Sequence, residues 1–218
     1  MNNEKIYKVI EVNEAETDKK AADDLSVART NVEDEMKKVR EKNIKDFREF
    51  MQNRVNNSIV LSNFLDELGY FTAPAAISHH GNYIGGLYDH SKQVATELQN
   101  LTHRLGLIWD ISRSPFVVGM LHDLCKCDDY VQDESGAWVY NKNKLLPGHG
   151  DKSVMLAQQV MSPIQGGITD EEMYCIRWHM GAFDNKENWS CYSAAVKKYP
   201  NVLYTHTADM IASQIIGI

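Results

Sequence analysis

The 218-residue sequence predicts an all-α protein. Three observations support this fold class: segments with helical periodicity fill most of the chain, strand-like runs are few and short, and no internal repeat or low-complexity tract is found. Hydrophobic residues form 43% of the chain and charged residues 24%, proportions that suit one globular domain with a sizeable core. We expect a helical bundle over residues 58–218, preceded by a charged N-terminal helical extension over residues 1–57.

The first 57 residues are predicted to form an arm and a charged helix. The run KIYKVIEV at Lys5–Val12 is compatible with either a short strand or a mobile arm. From Val32 to Val55 acidic residues precede basic ones, as the helix dipole favours. This helix has one narrow apolar stripe, formed by Met36, Val39, Ile44, Phe47 and Met51. The stripe could dock on the main body or pair with a second copy of the chain, so a homo-oligomer is one possibility.

Helical periodicity in the rest of the chain predicts seven helices. A turn-rich excursion over residues 128–148 favours a small hairpin around residues 135–136. Thr169, with Glu172 three residues later, has the pattern of a capping box at a helix N-terminus. The predicted helices are Ser58–Gly69, Leu87–Leu105, Pro115–Cys125, Asp151–Met161, Thr169–His179, Tyr192–Tyr199 and Leu203–Ile216.

Charge and cysteine usage restrict the partners and the compartment. A formal net charge of −7 argues against extended nucleic acid as a partner, because that mode of binding needs a basic face. No apolar stretch reaches the roughly 18 residues needed to cross a bilayer, and the N-terminus has no signal-peptide core, so no membrane partner is expected. Irregularly spaced cysteines are typical of reduced thiols and predict a cytoplasmic protein: Cys125, Cys127, Cys175 and Cys191.

His122 and Asp123 stand side by side at the end of an apolar run, PFVVGML, that is predicted to be buried. An unpaired imidazole or carboxylate is costly in such a place. A shared metal ion would remove the cost, because it supplies positive charge for the carboxylates. Further single histidines and an aspartate stand in or next to other predicted helices: His90, His149, His179 and Asp209.

This ordered set resembles the HD superfamily of metal-dependent phosphohydrolases, an all-helical fold named for its His-Asp doublet. The resemblance is carried by His90 in GGLYDHSKQV, His122-Asp123 in GMLHDLCK and Asp209 in HTADMIAS, in the order that the family has. It covers roughly residues 58–218 and implies an HD-domain helical bundle.

The resemblance also implies a ligand set for one or two divalent transition-metal ions (Mn²⁺, Fe²⁺, Co²⁺, Ni²⁺ or Zn²⁺). Mixed nitrogen and carboxylate donors suit these ions better than Mg²⁺. His149 in GHGDKS and His179 in RWHMG are similar to the two extra histidines of family members that hold two metals. A first ion would be held by His90, His122, Asp123 and Asp209. A second ion would be held by Asp123, His149 and His179.

The implied activity is hydrolysis of a nucleotide or another small phosphate ester by a metal-activated hydroxide. Asp123 is the first catalytic candidate, because it would bridge two metals. Lys126, one turn beyond His122, could bind a phosphate oxygen and is the second. The substrate is therefore expected to be a small phosphorylated molecule.

Other residues are candidates for contact with substrate. Lys152 stands at the start of a helix, where backbone N–H groups favour an anion. Arg177 could meet a phosphate. His80, with His79 beside it, lies in the glycine-flanked loop before the first ligand helix and could touch the substrate. His206 precedes Asp209 by three residues and is predicted to share its helix face, next to the ligands.

The stretch HHGNYIGGLYDH has a closer resemblance to the HD domain of bacterial 3′-to-5′ exoribonucleases. Those enzymes carry an OB-fold module ahead of the HD domain, and residues 1–57 are too short and too helical to form one. A small 3′-to-5′ exonuclease acting on single-stranded RNA or DNA is therefore an alternative. A non-catalytic nucleotide-binding regulatory HD module is another, and oxygenase chemistry, found in distant relatives with di-iron sites, is a minor one.

Overall fold

The computed structural model describes residues 29–78, 81–133 and 135–218. Within these residues the fold is mostly α-helical, which confirms the predicted fold class. Helix α1 covers residues 29–51. The helices that follow are α2 (Ser58–Glu67), α3 (Gly86–Leu105), α4 (Ser114–Leu121), α5 (Gly150–Gln165), α6 (Asp170–Arg177), α7 (Trp189–Lys198) and α8 (Asn201–Met210). The strand or arm predicted at Lys5–Val12 lies outside the described residues.

A small hairpin interrupts the helical part of the chain. Strands β1 (Tyr130–Gln132) and β2 (Trp138–Tyr140) pair antiparallel with Val131 opposite Val139, which confirms the hairpin predicted around residues 135–136. Three short 3₁₀ segments and a π-helical turn complete the described elements: Leu124–Cys127, Gly181–Phe183, Lys186–Asn188 and, as the π turn, Ile211–Ile216.

Helix α4 is completely buried. Its sequence, SPFVVGML, has no charged residue to present to solvent, and Pro115 stands in its first turn, where a missing N–H costs no helical hydrogen bond. Helix α3 packs along α4 with a close approach at Gly119, where a Cβ would lie 2.7 Å from the Cβ of Ala95 and closer still to that residue's backbone. Because α3 carries His90 and α4 leads into His122, this packing sets the distance between the two imidazoles.

The other helices enclose this pair. Helix α3 also packs on α8, while α6 packs on α4, α5 and α8, and α2 packs on α5. Helix α1 joins the same core, because its Phe47 and Met51 are fully buried. The ring of Phe47 meets that of Phe71 edge-on at 5.5 Å and lies 6.5 Å from that of Tyr88. The apolar stripe of α1 therefore docks on the main body, while the domain boundary at residue 57 stays a prediction.

The four cysteines are free thiols, with Cys125 and Cys175 buried. None of the described helices combines the length and the apolarity that crossing a membrane requires.

The N-terminus of α6 is tied to the start of α4 through the buried carboxylate of Glu172. The predicted capping box is present: the Thr169 hydroxyl accepts from the Glu172 N–H at 3.1 Å, and the Glu172 carboxylate accepts from the Thr169 N–H at 2.8 Å. The same carboxylate accepts from the Ser114 hydroxyl at 3.1 Å and from two guanidinium N–H groups of Arg113 at 3.1 and 3.2 Å. This buried charge is therefore well supplied with donors.

Replacing Arg113 with Met is expected to destabilise the protein by about 3–5 kcal/mol, because the Glu172 carboxylate would stay buried without its counter-charge. The free energy of unfolding from urea denaturation measures the effect. The matched control is Arg40→Met, which removes a half-exposed ion pair with Asp66 and should cost less than about 1 kcal/mol. Equal losses in the two variants would contradict this account of Glu172.

Candidate metal centre

Five helices deliver the six predicted ligands to one place. His90 lies in the first turns of α3, and the doublet follows α4. His149 is the N-cap of α5, His179 comes just after α6, and Asp209 lies near the end of α8. The side chains of His90, His122 and His179 are at most 1% exposed. The structure therefore brings all the predicted ligands together.

The helix that leads into the doublet is shorter than predicted. The sequence predicts a helix over Pro115–Cys125, but α4 ends at Leu121 and His122 is its C-cap. At Asp123 the backbone leaves the helical region (φ −110°, ψ 23°), and a 3₁₀ turn follows. On a continuous helix two consecutive side chains point about 100° apart. Ending the helix at this point allows His122 and Asp123 to reach the same cluster.

The first half of the cluster surrounds one carboxylate oxygen. Asp123 Oδ2 lies 3.8 Å from His90 Nε2 and 3.6 Å from His122 Nε2. His90 Nε2 is also 3.3 Å from His122 Nε2 and 3.2 Å from Asp209 Oδ1. Burial alone would raise the pKa of the Asp209 carboxyl, but the surrounding histidines, His90 first among them, hold that pKa below the usual range. Two nitrogens and two carboxylate oxygens thus meet here.

The second half of the cluster surrounds the other oxygen of the same carboxylate. Asp123 Oδ1 lies 2.8 Å from His149 Nε2 and 3.3 Å from His179 Nε2, and these two nitrogens are 3.0 Å apart. Asp123 therefore stands between two pairs of histidines, with one oxygen facing each pair.

Lys126 favours the ionised form of Asp123. Its Nζ lies 3.1 Å from Asp123 Oδ2. Burial alone would raise the pKa of the Asp123 carboxyl, but Lys126, together with His122 and His149, holds it well below its usual range. Burial would likewise lower the pKa of Lys126, and the Asp123 carboxylate raises it instead. At neutral pH the cluster thus contains an anionic ligand with a fixed cation beside it.

Hydrogen bonds fix the tautomers of three histidines. The Nδ1 atoms of His90, His122 and His179 face the carbonyl oxygens of Ile218, Gly119 and Ile176, at 2.8, 2.8 and 2.7 Å. A carbonyl oxygen only accepts, so each Nδ1 carries the hydrogen, and in this tautomer Nε2 presents its lone pair. This second hydrogen bond is typical of histidines that bind metals.

Two observations test whether these residues suit a cation. In these tautomers the Nε2 atoms of His90 and His122 direct lone pairs toward each other across 3.3 Å. Burial lowers the pKa of His122 to about 4, so a proton on that ring does not relieve the repulsion at neutral pH. Asp123 Oδ1 is buried and, among the described residues, has no hydrogen-bond partner of adequate geometry. A metal ion would accept both kinds of lone pair, so the donor set fits one.

A cavity of about 390 Å³ opens onto the cluster. Lys126 and four of the predicted ligands form part of its wall: His90, Asp123, His149 and Asp209. Apolar and neutral polar side chains form the rest: Met180, Phe183, His206, Met210, Ser213 and Gln214. The cavity wall thus combines charged side chains with largely uncharged ones.

Two of the predicted substrate-binding residues, Lys152 and Arg177, do not line this cavity. The Lys152 ammonium is buried in ion pairs with Asp128 and Asp129, so it holds the segment before the hairpin. The Arg177 guanidinium pairs with Asp151 and Asp184. His79 and His80 lie outside the described residues. A role for any of them in binding substrate stays a prediction.

Cys125 also lies at this site, although the sequence did not predict it there. Cys125 Sγ lies 3.4 Å from His149 Nδ1 and, with Asp123 and His149, forms a further group of potential metal donors. Its position two residues after Asp123 is the one signal that could have identified it. The predicted placement of His206 beside the ligands agrees with a hydrogen bond from its Nδ1 to the His179 carbonyl oxygen at 2.8 Å.

In comparisons with protein-family models, curated proteins and solved structures, no match to the chain is found. The chemistry of the centre therefore follows from its own donor atoms. Histidines, aspartates and one cysteine form three overlapping groups of potential donors. Within each group the donor atoms lie within 4.8 Å of one another. Such a buried cluster could bind a metal ion.

Proposed function

We propose that the chain is a metal-dependent phosphohydrolase of the HD type that acts on a nucleotide or another small phosphate ester. The observation that carries the proposal is the position of Asp123, a buried carboxylate with one oxygen facing each of two histidine pairs. A carboxylate in this position suits a bridge between two divalent ions.

The order of the residues along the chain supports the same proposal. His90, the doublet and Asp209 come in the HD order, and their side chains lie around one point. His149 and His179 form the additional pair expected of members with two metals. Segments that are distant in the sequence thus converge on the doublet, as an HD-type centre requires.

Two groups of residues would hold the metals: His90, His122, Asp123 and Asp209 for one, and Asp123, His149 and His179 for the other. Nitrogen-rich mixed donors favour Mn²⁺, Fe²⁺, Co²⁺, Ni²⁺ or Zn²⁺. When bound, such ions supply Lewis acidity toward phosphoryl oxygens and a nucleophilic water at neutral pH.

The chain's own residues would bind and orient the phosphate. Lys126 stands at the cavity wall with its ammonium beside Asp123, where it can bind a phosphoryl oxygen as a point charge. The hydrogen bonds from the three Nδ1 atoms to carbonyl groups keep the imidazoles in place while substrate binds. The apolar part of the cavity would exclude water from around the ester.

Elemental analysis of the purified chain and a phosphate-ester panel test the proposal. We expect roughly stoichiometric transition metal, and release of phosphate or nitrophenol from nucleotides, p-nitrophenyl phosphate or bis-p-nitrophenyl phosphate in the presence of Mn²⁺. Chelation should remove the activity, and restoring the metal should return it. A protein that takes up no metal, or that is metal-loaded and inert on the whole panel, would contradict the proposal.

Replacing Lys126 with Met is expected to lower kcat/KM about 10- to 100-fold, because the phosphate loses a charge-assisted hydrogen bond. The initial rate on p-nitrophenyl phosphate measures the effect, and metal content should stay close to that of the unmodified chain. The matched control is Lys144→Met, which removes an ammonium paired with Asp129 away from the cavity. Unchanged kcat/KM in Lys126→Met would exclude a role for this lysine in phosphate binding.

A further inference from the structure

We propose that His206 selects the substrate of this site, which we infer to be a phosphate monoester whose organic part carries a hydroxyl group and an apolar face. The hydroxyl would donate to His206 Nε2, and the apolar face would pack on Met180, Phe183 and Met210. The inference rests on the proposed phosphohydrolase activity and goes further by naming the class of ester.

The tautomer of His206 determines which of its ring nitrogens can accept a hydrogen bond from a substrate. Its Nδ1 lies 2.8 Å from the carbonyl oxygen of His179, and since a carbonyl oxygen only accepts, Nδ1 carries the hydrogen. In that tautomer Nε2 is the acceptor. Among the described residues none is hydrogen-bonded to this atom, and the ring forms part of the cavity wall. A donor on a bound molecule would meet it.

The ring of His206 is held in one orientation. Gly181 has a positive φ of 54° and lies against the ring so closely that a Cβ there would be 2.7 Å from two of its carbons. The ring of Phe183 lies near it as well, with ring centroids 6.1 Å apart. With the hydrogen bond to His179, these contacts fix the direction of the Nε2 lone pair. An acceptor of fixed direction discriminates between substrates better than a mobile one.

His206 is also close enough to the reacting end of the cavity. It precedes Asp209 by three residues on α8, so the two side chains share a face about one turn apart. A hydroxyl that contacts His206 would therefore lie a few bonds from a phosphate held at Asp209 and Asp123. Sugar and polyol phosphates place a hydroxyl at such a distance from the ester oxygen.

The charges of the cavity favour one phosphate group over several. Lys126 is the one lysine or arginine among the described residues that line the cavity. A second or third phosphate group would therefore find no further ammonium or guanidinium among these wall residues. The volume of about 390 Å³ lies at the lower end of the range for small-ligand pockets, roughly 300–1,000 Å³. A monoester of a hydroxylated, ring-bearing alcohol fits both observations.

The test uses the metal-loaded full chain and three probes: adenosine 5′-monophosphate, its 2′,3′-dideoxy analogue and p-nitrophenyl phosphate. The two nucleotides differ only in ribose hydroxyls. We expect kcat/KM for the ribonucleotide to exceed that for the dideoxy analogue about tenfold or more, because a site that accepts a hydrogen bond rejects an analogue without the donor. His206→Phe should bring this ratio to about one, and His206→Gln, whose amide oxygen can accept, should restore part of it.

The outcomes separate this inference from the proposed function. Hydrolysis of p-nitrophenyl phosphate with no preference between the nucleotides, or with both nucleotides inert, overturns the inference and leaves the phosphohydrolase intact. No hydrolysis of any probe by metal-loaded protein overturns both. A preference that survives in His206→Phe, with metal content as in the unmodified chain, shows that another group reads the hydroxyl and overturns the role of His206.

Discussion

Asp123→Asn is expected to abolish both metal retention and hydrolysis. The carboxylate supplies a donor to each histidine pair, with Oδ1 2.8 Å from His149 Nε2 and Oδ2 3.6 Å from His122 Nε2. An amide keeps the shape but loses the charge, and its NH₂ group cannot donate a lone pair to either side. Because one substitution weakens both halves, we expect metal affinity to fall more than the roughly 10- to 100-fold that follows loss of an outer partner of a ligand.

Equilibrium dialysis with Mn²⁺ or Zn²⁺ followed by elemental analysis measures the loss, and p-nitrophenyl phosphate measures activity in the same samples. Asp34→Asn is the matched control, since it removes an equal charge from an exposed position on α1. It should keep both metal and activity. Stoichiometric metal in Asp123→Asn would mean that the carboxylate does not bind a cation, and the proposed centre would fail with it.

The features of the fold that depend on neighbouring residues could be predicted from the sequence. The apolar run PFVVGML predicts a buried helix because it has no polar face, and α4 is buried along its whole length. The Thr169–Glu172 pattern predicts a helix start because both of its hydrogen bonds form within four residues. The cost of burying His122 next to Asp123 likewise predicts a partner for them. Each of these three predictions depends only on residues that are close together in the sequence.

The parts that could not be predicted depend on contacts between distant segments. A Lys at the start of a helix suggests an anion site, yet Lys152 is taken by Asp128 and Asp129, which the path of the chain brings beside it. The early end of α4 is similar, because nothing in LHDLCK signals that the helix must stop after Leu121. The tautomer of His206 depends on a carbonyl 27 residues away.

One tertiary contact determines whether the first half of the site can form. His90 and His122 belong to different helices, and their Nε2 atoms can be 3.3 Å apart only because α3 and α4 approach closely where residue 119 has no side chain. The carbonyl of Gly119 also accepts from His122 Nδ1. The same residue therefore sets the spacing of the helices and the orientation of one ligand.

Gly119→Ala is accordingly expected to destabilise the protein by about 3 kcal/mol or more, since the new methyl group would meet the backbone of Ala95 as well as its side chain. For a chain of this length, such a loss lowers Tm by roughly 6–12 °C. The helices must move apart, which separates His90 from His122, so metal affinity should fall together with stability. Gly106→Ala is the control: it strains a positive φ but meets no atom within 4 Å, so it should cost about 1 kcal/mol and leave metal binding unchanged. If Gly119→Ala kept the Tm and metal content of the unmodified chain, this contact would not govern the distance between the two imidazoles.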